Sequence, residues 1–322
     1  MKAFSIALSF VVGVAVSSAF FLMKETSSPP EEPRELQEGQ TDLINPLLDC
    51  PAASSALPPK HAEIEEAVLA IIAGAKARGE IGSASVYFRD LNNGPAFGIE
   101  ARATFSTASL LKVPVMIGYF KKLETEPDLF NQTIVYHANQ HEIPEVSQTI
   151  EPPDRLQEGK AYPIDHLISR MIVLSDNTAA SMLLTHRPDI DVVSTLKDMG
   201  VILNVTGDDA TLSVNAYASI FRILYNATYL NRVFSKGALQ LLTQSHMSAA
   251  LVAGVEPGLM VAHKFGERSQ GGQFQFHDCG IVYAPERPYL LCVMTRGQKN
   301  MDPLIQTVAK ISKVVFDKMK NP

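Results

Sequence analysis

Apolar residues at helical spacing mark a helix at each end of the body of the chain. One stripe lies within residues 61–79 and another within residues 301–319. Gly79 is a suitable stop for the first helix, and Pro303 suits the first turn of the second. The stripes consist of Ile64, Val68, Ile71 and Ala75, and of Leu304, Val308, Ile311, Val315 and Met319.

Strand-like stretches lie just inside these helices. Residues 83–90 are β-prone and are followed by a turn signal, LNNG, and a second short strand. Residues 260–267, 276–284 and 288–296 are also strand-like, whereas residues 105–250 are mainly helical. We therefore expect an α+β fold of the α/β sandwich type. Both chain ends would form one antiparallel sheet with flanking terminal helices, and an all-helical subdomain would lie beside it across a cleft.

The first 58 residues have a different pattern. No charge occurs from Ala3 to Met23, a length of roughly 30 Å as a helix, which matches a bilayer core. Residues 25–58 are rich in Pro, Glu, Ser and Gln, a composition typical of a tether. We expect an exported protein anchored to the outer face of the cytoplasmic membrane. Signal cleavage, giving a secreted or periplasmic protein, is the alternative.

The predicted organisation thus has three parts. They are a membrane anchor or signal segment at 1–24, a Pro/Glu-rich tether at 25–58 and one folded domain at 59–320. Within that domain, the sheet part is expected at about 59–105 and 255–320, and the helical part at about 106–254.

Composition and charge limit the possible partners. A net charge of −6 argues against a nucleic-acid binder, which needs a basic face. The three cysteines, Cys50, Cys279 and Cys292, leave the disulfide pairing open. Because no two of them are close in sequence, we predict no metal site, and nothing in the sequence calls for a cofactor.

Three short motifs carry candidate chemistry. Ser109 and Lys112 lie on one face of a predicted helix in the apolar run STASLLKVPV, residues 106–115. The pattern Ser-x-x-Lys alone is weak evidence for a catalytic site, since it also occurs at residues 194–197. The sequence SDN follows at 175–177 on a predicted helical loop, and Lys-x-Gly follows at 264–266 on a predicted strand.

In this order, the motifs resemble those of the penicillin-recognising serine hydrolases, and most closely those of the class A β-lactamase branch. The resemblance covers roughly residues 60–320 and implies a β-lactamase/DD-peptidase-like fold. The matching stretches are FSTASLLKVPV, LSDNTAASMLL, VAHKFGE and HDCGIVYAPERPYLLCVMTRG.

The chemistry of a serine nucleophile explains the lysine in the apolar run. A serine hydroxyl needs a base to take its proton. Apolar surroundings lower a lysine pKa from about 10.4 towards neutrality, and a second cation, Lys264, would lower it further. Lys112 can then act as general base towards Ser109, as the resemblance also implies.

The resemblance also implies roles for the other motif residues. Ser175 would relay a proton to the leaving nitrogen, and Asn177 would hold the substrate amide. Lys264 and Gly266 belong to the substrate-binding strand. A helix beginning at Ser109 and the residue Glu267 would each supply a backbone N–H to the oxyanion.

Two departures from the class A pattern concern turnover. No glutamate occurs in residues 191–217, where class A enzymes carry the Ω-loop glutamate that activates the deacylating water. Asp208 and Asp209 are the nearby carboxylates, and a turn also explains them. Phe265 replaces the usual Thr or Ser, so a hydroxyl that would bind the substrate carboxylate is lost.

The expected function is therefore a class A β-lactamase-like serine hydrolase that uses an acyl-enzyme and deacylates slowly. A D-Ala-D-Ala cell-wall peptidase and a non-catalytic, anchored penicillin-binding protein are the alternatives. The partners expected are a small β-lactam or a peptidoglycan peptide, and the membrane through the N-terminal segment, but no nucleic acid.

Overall fold

The computed structural model describes Leu43 and residues 57–92, 94–141, 150–207 and 209–320. The predicted segment 1–24 and nearly all of the predicted tether 25–58 lie outside these residues. In the ranges that are described, no helix is both long enough and apolar enough to cross a membrane.

Leu43 belongs to the predicted tether but packs on the folded domain. Its side chain is buried in the core on the helical side of the main sheet, and its carbonyl accepts a hydrogen bond of 2.8 Å from the Tyr283 hydroxyl. Composition alone predicted that this stretch resists packing, and at Leu43 that expectation is wrong.

The helices and strands alternate along the domain. The described helices are α1 (Pro59–Ala77), α2 (Lys112–Leu123), α3 (Ala138–His141), α4 (Ile164–Val173), α5 (Asn177–His186), α6 (Val192–Asp198), α7 (Val214–Tyr225), α8 (Arg232–Leu242) and α9 (Asp302–Lys320). The described strands are β1 (Ser83–Asp90), β2 (Ala96–Ile99), β3 (Thr104–Ser106), β4 (Thr133–Val135), β5 (Ala161–Pro163), β6 (Asn204–Thr206), β7 (Asp209–Ser213), β8 (Val261–Gln270), β9 (Gln273–Val282) and β10 (Tyr289–Gly297).

The main sheet is antiparallel and has the strand order β2-β1-β10-β9-β8. It joins strands from both ends of the domain, as predicted. The terminal helices α1 and α9 contact each other and pack on one face of the sheet, because their apolar stripes are buried there. The helical part packs on the other face.

Side chains of β10 show how one strand serves two cores. Leu290 and Met294 belong to the core on the helical side, whereas Leu291 and Val293 belong to the core under α1 and α9. Successive side chains of a strand point to opposite faces, so one apolar run can fill both layers.

The helical part is not all-helical, contrary to the prediction. β4 and β5 form a two-stranded sheet, and β6 and β7 form a hairpin whose second strand pairs with β3. These strands are short, and β6 is exposed along its whole length, so it lacks the apolar alternation that marks a strand in sequence.

The structure also assigns the cysteine pairing that the sequence left open. Cys279 on β9 and Cys292 on β10 face each other in register and form a disulfide. Lys264 is the residue opposite Cys279 on β8, so the disulfide lies in the strands directly beside the candidate site.

Candidate functional site

Ser109 and Lys112 are brought together at the start of α2. Ser109 lies on a 3-10 turn, Ala108–Leu111, and the α-helix begins only at Lys112, so the helix predicted to begin at Ser109 starts one turn later. Ala108 has φ 45°, a left-handed conformation that turns the chain just before the serine. Lys112 Nζ lies 3.0 Å from Ser109 Oγ.

Ser175 and Asn177 approach the same lysine from the loop between α4 and α5. Lys112 Nζ donates to the Ser175 carbonyl at 2.5 Å and to Asn177 Oδ1 at 2.6 Å, and it lies 3.1 Å from Ser175 Oγ. Two of these partners are oxygens that can only accept. They can take both N–H groups of a neutral lysine, which leaves its lone pair for the serine hydroxyls.

Lys264 reaches the site from β8 and closes a chain of polar groups. Its Nζ donates to Ser175 Oγ at 2.8 Å and to the Phe265 carbonyl at 2.9 Å, and its side chain is fully buried. Ser175 Oγ therefore lies between the two lysine amines. The sequence motifs are separated by more than sixty residues each, yet their side chains meet around this one hydroxyl.

Gly266 lets β8 lie against the turn that carries the serine. A Cβ at this position would come within 3.1 Å of Leu110 Cγ and 3.3 Å of both Leu110 N and Thr107 O. A side chain would therefore push the strand away from the turn. This close approach places Glu267, the next residue, beside the turn that holds Ser109, which is where the resemblance expects the second oxyanion donor.

Burial sets the protonation of the two lysines. Removal from water lowers the pKa of Lys112 to about 7, although the carboxylates of Asp176 and Glu267 act in the opposite direction. Burial, and then the charge of Lys112, hold the pKa of Lys264 well below its ordinary value. A neutral lysine beside a serine hydroxyl at neutral pH can accept its proton.

Asp176 has a structural position. Its side chain accepts from Ala179 N and so caps α5, and it also accepts from Arg170 Nε at 2.8 Å. Arg170 in turn donates to both carboxylate oxygens and to the carbonyl of Asp154. These contacts hold Ser175 in a left-handed conformation, φ 55°, which is unusual for a residue with a side chain.

The Phe265 ring lies beside the Lys264 amine, with its centroid 4.1 Å from Lys264 Nζ. The Phe265 side chain is 1% exposed and packs in the core under the terminal helices, with its ring beside those of His246 and Phe276. The site therefore has a buried ring against Lys264 at this position and no hydroxyl.

The carboxylates considered for deacylation are differently placed. Asp208 lies outside the described residues. Asp209 begins β7 and is bound to Arg268 at 2.7 Å and to Ser106 Oγ at 2.8 Å. Asp209 is therefore held in an ion pair with Arg268 and accepts a hydrogen bond from Ser106.

Two contacts at the site were missed by sequence reasoning. Arg170 holds Asp154 and Asp176, and Glu267 Oε1 accepts from Ile150 N at 2.9 Å. The sequence offers one sign of the Arg170 contacts, because Arg170 is a charged residue next to Met171 on the buried face of α4. The contact between Glu267 and Ile150 joins residues 117 apart in sequence, so no local pattern indicates it.

In the described ranges, no group of three or more His, Cys, Asp or Glu side chains could hold a metal ion.

Comparisons with known proteins agree with the fold. A family profile described as "Beta-lactamase enzyme family" matches residues 63–319. No curated protein sequence matches the chain. The solved structure of PBP-A is similar at a TM-score of 0.68 and 19% identity, over 83% of this chain and 100% of that one. A PBP-A variant in acyl-enzyme complex with penicillin G is also similar.

Two β-lactamases show the same likeness. The enzyme from Sphaerobacter thermophilus has a TM-score of 0.67 and 19% identity, over 79% of this chain and 96% of that one. A class A β-lactamase from Mycobacterium abscessus has a TM-score of 0.67 and 20% identity, over 78% of this chain and 98% of that one. At these identities, the matches show a shared fold.

Proposed function

The chain belongs to the β-lactamase enzyme family, and on this premise we propose that it opens the amide of β-lactams through an acyl-enzyme on Ser109 and releases the product slowly. The observation that carries the proposal is the position of Lys112, a buried amine with a pKa of about 7 whose Nζ lies 3.0 Å from Ser109 Oγ. That amine is the base the hydroxyl needs.

Acylation follows from this arrangement. Ser109 Oγ bonds to the lactam carbonyl carbon while its proton passes to Lys112 Nζ. The carbonyl oxygen becomes an oxyanion between the backbone N–H groups of Ser109 and Glu267. When the carbon–nitrogen bond breaks, the nitrogen takes the proton of Ser175, which Lys112 restores across 3.1 Å.

Among the described residues considered for deacylation, none is an evident base. Water must attack the ester, and the Asp209 carboxylate is bound to Arg268 and Ser106. Loss of one positioned general base slows a step by about 10²–10⁴-fold. We therefore expect the acyl-enzyme to accumulate.

A chromogenic cephalosporin tests both steps. The full chain should give a stoichiometric burst followed by slow turnover, and intact-protein mass spectrometry should show one adduct, mapped to Ser109. Ser109→Ala should show neither burst nor adduct. Brisk steady-state hydrolysis without an adduct would contradict slow deacylation. An adduct on Ser175, or one that persists in Ser109→Ala, would contradict the nucleophile.

A D-Ala-D-Ala peptidase is the second candidate. Acylation by a peptide needs the same groups as acylation by a β-lactam. Fast β-lactam hydrolysis also needs a base for deacylation, and the carboxylate considered for it, Asp209, is bound to Arg268. Release of D-alanine from a D-Ala-D-Ala peptide, faster than cephalosporin turnover, would favour it. No adduct with either compound would favour a non-catalytic protein.

We also propose that the domain is exported and anchored outside the cytoplasm. Two features support this: the uncharged segment from Ala3 to Met23, and the disulfide between Cys279 and Cys292, a bond that persists in oxidising compartments.

A further inference from the structure

Two neighbouring strands of the main sheet bind one residue that lies just before the candidate nucleophile. Ser106 is the last residue of β3, three positions before Ser109, and it is buried. Its backbone N–H donates to Gln275 Oε1 at 3.1 Å, and its carbonyl oxygen lies 2.9 Å from His277 Nε2. Arg268 Nη1 donates to its hydroxyl oxygen at 2.9 Å. Every polar group of Ser106 is therefore bound by a side chain of β8 or β9.

The register of β8 and β9 explains how His277 reaches this residue. His277 lies directly opposite Gly266, so its side chain leaves the sheet on the face where a Cβ of Gly266 would lie. On that face, such a Cβ would come close to Thr107 O and Leu110. Because Gly266 has no side chain, the turn lies against the sheet, and the His277 ring can contact the Ser106 carbonyl.

The His277 ring is a neutral hydrogen-bond donor. Its side chain is fully buried, and burial lowers its pKa to about 4. A carbonyl oxygen can only accept, so Nε2 carries the proton of the neutral ring. Within the described residues, Nδ1 has no hydrogen-bond partner, so a second proton on the ring would be buried unpaired. The ring of Phe105 packs against the imidazole, with the centroids 5.5 Å apart, and helps to orient it.

Only two residues separate the Ser106 carbonyl from the nucleophile. The N–H and the hydroxyl of Thr107 both donate to the Ala210 carbonyl on β7, at 2.8 and 3.0 Å. Ala108 then turns the chain with φ 45°, and Ser109 follows. β7 and His277 thus hold the same short segment from two sides. A shift of the Ser106 carbonyl would move the serine hydroxyl relative to its lysine base.

We propose that His277 is a positioning residue for acylation, because its Nε2–H fixes the Ser106 carbonyl and thereby places the Ser109 hydroxyl at its base. This inference rests on the proposed acylation of Ser109, and it assigns the placement of the nucleophile to a residue outside the three motifs. His277 binds the backbone three residues before the nucleophile, so it takes no proton in the reaction.

Two substitutions separate the hydrogen bond from the ring. His277→Gln keeps an amide N–H in place of Nε2–H, whereas His277→Met has a similar length and no donor. Neither variant keeps the aromatic contact with Phe105, so the difference between them reports the hydrogen bond. Ser312→Ala serves as the control. It removes a buried hydroxyl that donates to the Leu251 carbonyl at 2.7 Å, beside α9 on the other face of the sheet.

The assay is adduct formation between penicillin G and the full chain, followed by intact-protein mass at several concentrations. Misplacement of a reacting group by about 1 Å can cost about 10²-fold, so His277→Met should lower the limiting rate constant by about 10- to 100-fold. His277→Gln should stay within about threefold of the wild type, and Ser312→Ala should match it. The half-saturating concentration should not change in any variant. The pH midpoint of acylation should be the same in His277→Gln as in the wild type.

The amplitude and the rate constant report different losses. Unfolded molecules lower the amount of adduct, whereas a misplaced serine lowers the rate constant of the molecules that do react. A variant that folds only in part therefore still gives an answer. If His277→Met yields no folded protein, His277→Phe replaces it, since it keeps a ring beside Phe105 without a donor, and the same loss of rate is expected.

Equal rate constants in the Gln variant and the variant without a donor would overturn the positioning role. A loss confined to the amplitude, an equal loss in Ser312→Ala or a shifted pH midpoint would also overturn it. In each of these cases, an adduct on Ser109 in the wild type would leave the proposed function intact. Absence of any adduct in the wild type would instead overturn the proposed function, and the positioning role with it.

Discussion

Acylation of Ser109 by a penicillin should become faster as the pH rises through about 7 and should then level off. Lys112 accepts a proton only in its neutral form, so its reactivity is lost as the pH falls through its pKa. Burial lowers that pKa from 10.5 to about 7. The difference, 10.5 − 7 or about 3.5 pH units, corresponds to about 5 kcal/mol of disfavoured charge.

If Lys112 is the general base, this shift should supply a large part of the reactivity at neutral pH. About half of the Lys112 amines are neutral at pH 7, whereas an ordinary lysine would be neutral in about one molecule in 3,000. The buried site therefore raises the fraction of neutral amine by about 10³-fold. Because Lys264 shares the hydroxyl of Ser175 with Lys112, the measured midpoint belongs to the pair.

The assay is the rate of adduct formation, followed by intact-protein mass between about pH 5.5 and 8.5. The rate should rise about tenfold per pH unit on the acid side. Lys112→Ala should lose about 10²–10⁴-fold. Lys197→Ala, the matched control from the second Ser-x-x-Lys, should keep the wild-type profile because its side chain is exposed on α6. A flat profile, or a midpoint near the ordinary lysine value, would refute the role of the buried amine.

The Arg170 contacts and the export proposal give the remaining predictions. Arg170→Met leaves Asp176 buried without its cation and should lower the free energy of unfolding by about 3–5 kcal/mol in urea titrations. Asp154→Asn removes a carboxylate that is 67% exposed and should lower the free energy of unfolding by at most about 1 kcal/mol. Equal losses of stability in the two variants would contradict the view that Asp176 is the main partner of Arg170. Deleting residues 1–24 should leave the protein in the cytoplasmic fraction, whereas the full chain should fractionate with membranes or outside the cytoplasm, and recovery of the full chain from the cytoplasm would count against export.

The terminal helices and the main sheet could be predicted because their patterns are local. Leu304, Val308 and Ile311 are all buried against the sheet, as their spacing indicates. β6 was missed because its three residues are all exposed and carry no alternation. Leu43 was missed because a single apolar contact cannot be read from a Pro- and Glu-rich stretch.

The candidate catalytic residues were predicted from the order of the motifs alone. Nothing in the local pattern places Ser175 beside Lys112, since the two residues are 63 apart, and the structure brings their side chains together through the fold. Whether each group performs its assigned role stays a prediction. The contact of Glu267 with Ile150 could not be predicted, because it depends on how a loop crosses to the end of β8.

The position of β8 at the end of the main sheet has a consequence for self-association. An end strand can pair with a strand of another molecule and so begin a growing aggregate. Here the turn at residues 107–110 lies against β8 at Gly266, and the charged residues Glu267 and Arg268 follow immediately. The turn covers part of this edge, and the two charged side chains disfavour pairing along the rest of it. The strand that carries Lys264 is therefore expected not to extend into an intermolecular sheet.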